Sequence, residues 1–210
     1  MDVKNIIFDL GGVILNIDYN KTVNAFKSLG IEDFDLLFTK ANQEQLFDLY
    51  EMGQISSLAF IDKLKDKIPD TTTEQVKNAW NAMLLDLPNE RLTLLKELKA
   101  KYNISLLSNT NKIHLDAFHE IIQTQNRINS LEPYFDKVYF SCDIGMRKPN
   151  PQIFDFVCNQ QNYKPNETLF IDDSIQHIRG AKKIGLQAYH LNVEKEDVVS
   201  FFNDFKEKGT

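Results

Sequence analysis

Cysteine is scarce in this sequence: Cys142 and Cys158 are the only two in 210 residues. Two isolated thiols make neither a disulfide framework nor a cysteine-based zinc site. Long apolar runs are missing too, since no stretch approaches the roughly 18 residues that a membrane span needs. Nor is there a surplus of positive charge. Twenty-four Lys and Arg stand against thirty Asp and Glu, for a net charge of -6. With no basic cluster to mark a nucleic-acid footprint, binding to a phosphate backbone is not the main business. Internal repeats and low-complexity linkers are absent. The chain reaches its first apolar run without the cationic segment and cleavage site of a secretory signal. The expectation is a cytoplasmic protein whose partner is a small molecule, neither nucleic acid nor membrane.

What is present is a chain of ordinary globular composition, 42% hydrophobic and 26% charged, long enough for a large domain or a core with an insertion. One stretch organises it: Ile6-Ile7-Phe8-Asp9-Leu10-Gly11-Gly12-Val13-Ile14-Leu15. The apolar run suits a strand buried on both faces of a parallel sheet. An ionised Asp cannot sit unpaired inside such a strand, because burying its charge is too costly. Asp9 is therefore expected at the carboxyl end of the strand, the edge where open α/β sheets bind ligands. Gly11 and Gly12 then allow a sharp turn and a close approach.

After Leu15 the periodicity turns helical for about seventy residues. Helices are predicted over Asn20–Leu29, Gln43–Tyr50, Ser56–Ile68 and Thr73–Leu85. In the third, Leu58, Ile61, Leu64 and Ile68 are assigned to one apolar face. Thr72 or Thr73 is the expected N-cap of the fourth. Pro88 marks a break, and from Asn89 onward strands and helices alternate. Strands fall at 104–107, 138–141, 169–171 and 187–191, and helices at 89–102, 111–123, 151–161, 175–184 and 194–205. Alternation of this kind implies a doubly wound parallel α/β sheet. Residues 1–15 and 88–210 are thus expected to form an α/β core domain, with 16–87 a helical domain inserted over the sheet edge.

The polar residues fall where such a sheet would gather them. Phe8 runs into Asp9, Leu107 into Ser108-Asn109-Thr110, and Ile171 into Asp172-Asp173-Ser174, while the strand ending at Phe140 leads on to Arg147-Lys148-Pro149. In a parallel sheet all four clusters share one edge. Converging carboxylates raise one another's pKa values unless a cation neutralises them. A hard divalent ion with oxygen ligands does so, and Mg²⁺ keeps positions open for a phosphate. Lys148 would balance the remaining phosphate charge and Ser108 would donate a hydrogen bond to it. Asp9 is left as the nucleophile, forming an aspartyl-phosphate that water hydrolyses.

These residues, in this order and spacing, resemble the haloacid dehalogenase superfamily of hydrolases over nearly the whole chain. Asp9 matches its first motif, Ser108 the second, Lys148 the third and Asp172-Asp173 the fourth. The stretches Phe8–Ile14, Leu107–Asn111, Asp143–Pro149 and Tyr50–Ser56 look closest to the α-D-glucose-1-phosphate phosphatase branch. The resemblance implies a helical cap after the first motif and a Mg²⁺-dependent phosphatase of a small phosphorylated metabolite, such as a hexose 1-phosphate. It implies metal ligation by Asp9, the Gly11 carbonyl and Asp173, with Asp172 assisting, and phosphoryl binding by Ser108, Asn109 and Lys148.

Two departures matter. Most phosphatases of the superfamily carry an Asp general acid two residues after the nucleophile, where this chain has Gly11. A positioned general acid contributes about 10²–10⁴-fold, so an anomeric leaving group, which needs little protonation, fits best. Asp18 is a candidate substitute, set against a capping role. The second departure is His177, where the fourth motif usually has Asn; a hydrogen bond to Lys148 or a neighbouring loop is expected. Arg147 is assigned to the substrate, the cap or solvent, and Phe47, Tyr50, Glu51 and Met52 to the cap pocket or its core. His114 and His119 lie five apart, off a shared helical face, and are read as packing or surface residues. A 2-haloacid dehalogenase, in which Asp9 attacks carbon, is the alternative enzyme, and a capped binding protein without catalysis the alternative class.

Overall fold

In the computed structural model, which describes residues 3–34 and 46–208, five strands form one parallel sheet. β1 (Asn5–Phe8) lies at its centre, between β2 (Asn103–Ser108) and β4 (Thr168–Asp172), and β3 (Lys137–Phe140) and β5 (Gln187–His190) form the edges. The register sets Phe8 opposite Leu106 and Ile171, so Asp9 emerges between the ends of β2 and β4. The strand order turns back at this point, which is where doubly wound sheets open a crevice.

Residues of β1 are buried on both faces, as their unbroken apolar run requires. Ile6 and Phe8 enter a core with Leu95 and Leu98 of Asn89–Lys99, Phe118 of Lys112–Asn126 and Phe202 of Val198–Lys208. Ile7 faces the other way, onto Phe154 and Val157 of Pro151–Gln161 and Ile178 of Ile175–Lys182. Two helical layers therefore sandwich the sheet.

Between β1 and β2 run α1 (Tyr19–Ser28), α2 (Leu46–Glu51), α3 (Ser57–Lys65) and α4 (Thr73–Asn81). Helices this short are marginal in isolation, and a separate core of aromatic side chains holds them together. Phe26 stacks on Phe34 at 4.1 Å, Tyr50 on Phe60 at 4.2 Å, and Trp80 on His114 at 4.7 Å. Each such side chain, once buried, stabilises by roughly 1.5–3 kcal/mol. The two crossings into this layer pair with each other: Asn16 N–H donates to Asp86, Leu85 N–H to Asn16, and Asp18 N–H to Met83, all near 3 Å.

That pairing explains one departure from the periodicity. α4 stops at Asn81 rather than Leu85 because Met83–Asp86 is drawn into the extended crossing. Its start is as expected, with Thr72 and Gln75 forming a reciprocal capping box. Leu58 is a correction: it is 64% exposed, and Phe60 fills the buried face beside Ile61 and Leu64. The closing helix starts at Val198, not Glu194, because the Asp197 carboxylate accepts the Val199 N–H at 2.7 Å and fixes the first turn there. Ser141 opens a short helix, Ser141–Ile144, instead of ending β3. Of the helix expected over 43–50, residues 43–45 lie outside the described residues. No helix among the described residues is long and apolar enough to cross a membrane.

Candidate active site

With the helices numbered onward as α5 (Asn89–Lys99), α6 (Lys112–Asn126), α7 (Ser141–Ile144), α8 (Pro151–Gln161), α9 (Ile175–Lys182) and α10 (Val198–Lys208), the site lies beneath α1 and α2 at the carboxyl edge of the sheet. Lys148 is its centre, fully buried, with Nζ donating to Asp9 Oδ1 at 2.7 Å, Asp172 Oδ2 at 2.7 Å and the Leu107 carbonyl at 2.9 Å. Three donors meet three acceptors, so the ammonium is completely engaged. Burial pulls the lysine pKa down, but Asp172 and Asp9 outweigh it and hold the pKa above its ordinary value. The lysine is kept in place through its backbone: Lys148 N–H donates to Asn109 Oδ1 and Asn109 Nδ2 donates back to the Lys148 carbonyl, both at 2.9 Å.

The two acidic residues of the fourth cluster differ in their surroundings. Asp172 is buried, with Oδ1 accepting from Ser174 N–H at 2.7 Å and His177 Nδ1 lying 2.9 Å from both of its oxygens. Burial opposes its ionisation, but Lys148 and His177 prevail and its pKa falls. Asp173 is half-buried, and its carboxylate takes no hydrogen bond from another described residue. Burial, with Asp9 and Asp172 as neighbours, pushes its pKa up to about 7. Asp9 is likewise raised, to about 6, by burial first and Asp172 second, against the pull of Lys148.

One oxygen from each of Asp9, Asp172 and Asp173 lies within 4.8 Å of the others. Ligand atoms of this kind suit a hard divalent cation, and the raised pKa of Asp173 marks negative charge that such a cation would neutralise. Gly12 permits the convergence. A Cβ there would stand 2.3 Å from Asp173 Oδ2, and its φ of +75° is strained for any other residue.

Over the cluster lies a cleft of about 420 Å³ lined by Asp9, Gly11, Tyr19, Glu51, Asn109, Arg147, Asp173, Ser174 and His177. Tyr19 opens α1 and Glu51 closes α2, so the helical layer supplies one wall. Arg147 joins the two regions: Nη1 meets Asp48 at 2.9 Å, while Nε and Nη2 meet Glu51 Oε2 at 3.0 and 2.9 Å. Burial raises the Glu51 carboxyl against the pull of Arg147.

The edge brings Asp9, Ser108, Asn109, Lys148, Asp172 and Asp173 together, with Gly11 beside Asp9. Ser108 is buried, its Oγ making one long contact of 3.5 Å to the Asn109 carbonyl. His177 engages Asp172 and not Lys148 or a loop. Asp18 caps α1 through Asn20 N–H, a structural role. Phe47 and Tyr50 belong to the aromatic core, leaving Glu51 as the residue of that stretch that reaches the cleft. His114 is buried against Trp80, whose carbonyl lies 3.0 Å from Nε2, and burial lowers its pKa to about 4. Tyr19 went unnoticed in the sequence. Its only signal was its place after a capping Asp, opposite the Asp9 turn.

A family model of haloacid dehalogenase-like hydrolases matches residues 3–185. The chain is 35% identical over 189 residues to the D-ribitol-5-phosphate phosphatase of Bacteroides thetaiotaomicron, covering 89% of this chain and 91% of that one. A solved structure of a HAD family enzyme from the same organism superposes with a TM-score of 0.85 at 33% identity, covering 95% of this chain and 98% of the other. A complex of that enzyme with magnesium and inorganic phosphate superposes at 0.84, with 33% identity and coverage of 95% and 99%.

Proposed function

The chain belongs to the haloacid dehalogenase-like hydrolase family, and on that premise we propose that it is a Mg²⁺-dependent phosphatase of sugar or sugar-alcohol monophosphates. One observation carries the reading: Asp9, at the end of the central strand, has Oδ1 fixed by Lys148 while Oδ2 accepts no hydrogen bond from a described residue. Asp9 lines the cleft, and this unengaged oxygen is assigned as the nucleophile.

Asp9 Oδ2 attacks phosphorus, the bond to the leaving oxygen breaks with that oxygen taking its proton from water, and an aspartyl-phosphate forms. Water then attacks phosphorus and returns the carboxylate. Lys148 holds Asp9 in line and balances charge on the phosphoryl oxygens, and the Ser108 hydroxyl donates to one of them. Asn109 acts mainly by fixing Lys148. Asp9, Asp173 and the Gly11 carbonyl would hold Mg²⁺, while Asp172 anchors Lys148 and His177 alongside. When bound, the ion supplies charge neutralisation to the carboxylates and the phosphoryl group. Residues 16–87 serve as the cap that excludes water and contacts the leaving group, with residues 1–15 and 88–210 as the catalytic core.

Within the substrate class, a hexose 1-phosphate suits the glycine at position 11. A sugar-alcohol 5-phosphate is the alternative favoured by the relative's name. The test is phosphate release from 1-phosphates, 5-phosphates, 6-phosphates and sugar-alcohol phosphates, with Mg²⁺ and with EDTA. Turnover with Mg²⁺ that EDTA abolishes is expected. Metal-independent halide release from a 2-haloacid, with no ester cleaved, would establish the dehalogenase instead.

A further inference from the structure

We propose that Glu51, held by Arg147, selects the leaving group by charge, accepting hydrogen bonds from an uncharged polyhydroxy moiety and turning away one that carries a second anion. The inference rests on the phosphatase reading and adds a specificity-determining residue to it.

Glu51 is rigidly presented. Its carbonyl lies 2.6 Å from the Ser141 hydroxyl, and the neighbouring Tyr50 hydroxyl accepts the Ile113 N–H at 3.1 Å. Gly53 continues the contact, since a Cβ there would meet the Cys142 carbonyl at 2.3 Å. The helix end is thus fastened to the core at several points. Arg147 takes Oε2 through two nitrogens and gives the third to Asp48. Oε1 accepts no hydrogen bond from a described residue, and the Glu51 side chain remains 21% exposed on the cleft wall.

Charge on that wall is unbalanced. Two carboxylates, Asp48 and Glu51, face one guanidinium whose nitrogens are all engaged. Lys148, buried beneath the cleft, has its donors on Asp9, Asp172 and the Leu107 carbonyl. The cleft's arginine and lysine are thus already paired with carboxylates, and His177 beside them has Nδ1 on Asp172. A carboxylate or second phosphate on the leaving group would be desolvated beside Glu51 and Asp48, whose two charges outweigh the single Arg147, a repulsive contact of the kind that sets specificity. A hydroxyl meets no such penalty and donates to Oε1. A latch that only fastened α2 to the core would need Oε2 and nothing at Oε1.

The test compares kcat/KM for glycerol 3-phosphate, its carboxylated counterpart 3-phosphoglycerate, and phenyl phosphate, in the wild type and in Glu51→Gln, with Mg²⁺ throughout. The wild type should favour glycerol 3-phosphate over 3-phosphoglycerate by about 100-fold, mostly through KM. Glu51→Gln keeps an acceptor oxygen but removes the charge and loosens Arg147, so this ratio should fall about tenfold, chiefly by gain on the carboxylated ester. Should that variant not fold, Asp48→Asn carries the same test and lowers the ratio several-fold. Equal wild-type rates on the two esters overturn the proposal, as does an unchanged ratio in the variants. Failure to cleave all three, phenyl phosphate included, overturns the phosphatase reading and this inference with it.

Discussion

The strand edge and the helical layer above it are built on opposite plans. At the edge, ionised groups are buried and tied to one another: Lys148 and Asp172 are both wholly inaccessible, and each makes several charge-assisted hydrogen bonds. In the layer, stability comes from stacked rings, and the charged groups Glu51, Asp48 and Arg147 stand at its boundary with the core. Buried charges fix a geometry because every misplacement leaves one unpaired. Aromatic cores tolerate exchange of shape as long as volume is conserved. On the proposed function, the chemistry rests on the first plan and the choice of leaving group on the second.

The largest expected effect tests the edge. Asp9→Asn removes the nucleophile while keeping its shape, and phosphate release should fall by about 10³-fold or more. The variant should remain folded, because it also relieves repulsion with Asp172 and Asp173. Residual turnover near the wild-type level would remove Asp9 from the chemistry. Lys148→Met comes next. It leaves Asp9 and Asp172 buried without their cation, a loss of about 3–5 kcal/mol. At roughly 2–4 °C per kcal/mol for a chain of this size, thermal melting should show a drop well above that of any boundary substitution. A drop no larger than that of Asp48→Asn would erase the distinction between the two plans.

That distinction also governs what could be read from the sequence. Asp9, Ser108 and the Asp172-Asp173 pair were legible because each ends an apolar run and a parallel sheet sends all such ends to one edge; Lys148, eight residues beyond the strand end at Phe140, was legible through its place in the third motif. The resemblance already ranked Asp173 above Asp172 as metal ligand; what occupies Asp172 was not legible, since it depends on Lys148, His177 and the Ser174 N–H reaching that carboxylate rather than Asp173. Nor was the clasp of Asn109 on the Lys148 backbone, which joins residues 39 apart in sequence. In the helical layer the helices were legible and their faces less so. Leu58 fits the 3.6-residue period as well as Phe60 does, and the choice between them is made by Tyr50 and Trp80, which pack on Phe60.

Metal removal should have a smaller and pH-dependent effect, confined to the edge. Asp9 and Asp173 are raised from 3.8 to about 6 and about 7. Between these limits the folded protein holds more protons than the unfolded chain, so their contribution is full below pH 3.8 and is lost as pH rises through 6 and 7. In EDTA the melting temperature should decline between pH 6.5 and pH 7.5, above the range in which His114, lowered from 6.5 to about 4, acts in the opposite sense. Mg²⁺ at a hundred times its neutral-pH Kd restores about 2.7 kcal/mol there, roughly 5–10 °C at this size, and at that fixed concentration the increment grows as pH rises and Kd falls. Calorimetry with and without Mg²⁺ checks this, and an increment that shrinks with pH would mean that the carboxylates are not the metal's site.

The smallest effect belongs to Leu58→Ser, and its contrast with Leu64→Ala isolates the layer. Leu58 and Leu64 lie on the same helix, six positions apart, and only Leu64 is buried, at 1% exposure against 64%. Leu64→Ala should cost about 2–5 kcal/mol by opening a cavity among the rings. Leu58→Ser removes a solvent-facing side chain and should stay within about 0.5 kcal/mol of wild type. Urea denaturation of both variants decides the matter, since equal midpoint shifts would put Leu58 back on the buried face and misplace α3. Neither variant touches an ion pair, so kcat for a hydroxyl-free ester should hold in both wherever they remain folded. A fall in that kcat with Leu64→Ala would mean that the aromatic layer also positions the strand edge, and that the two plans are one.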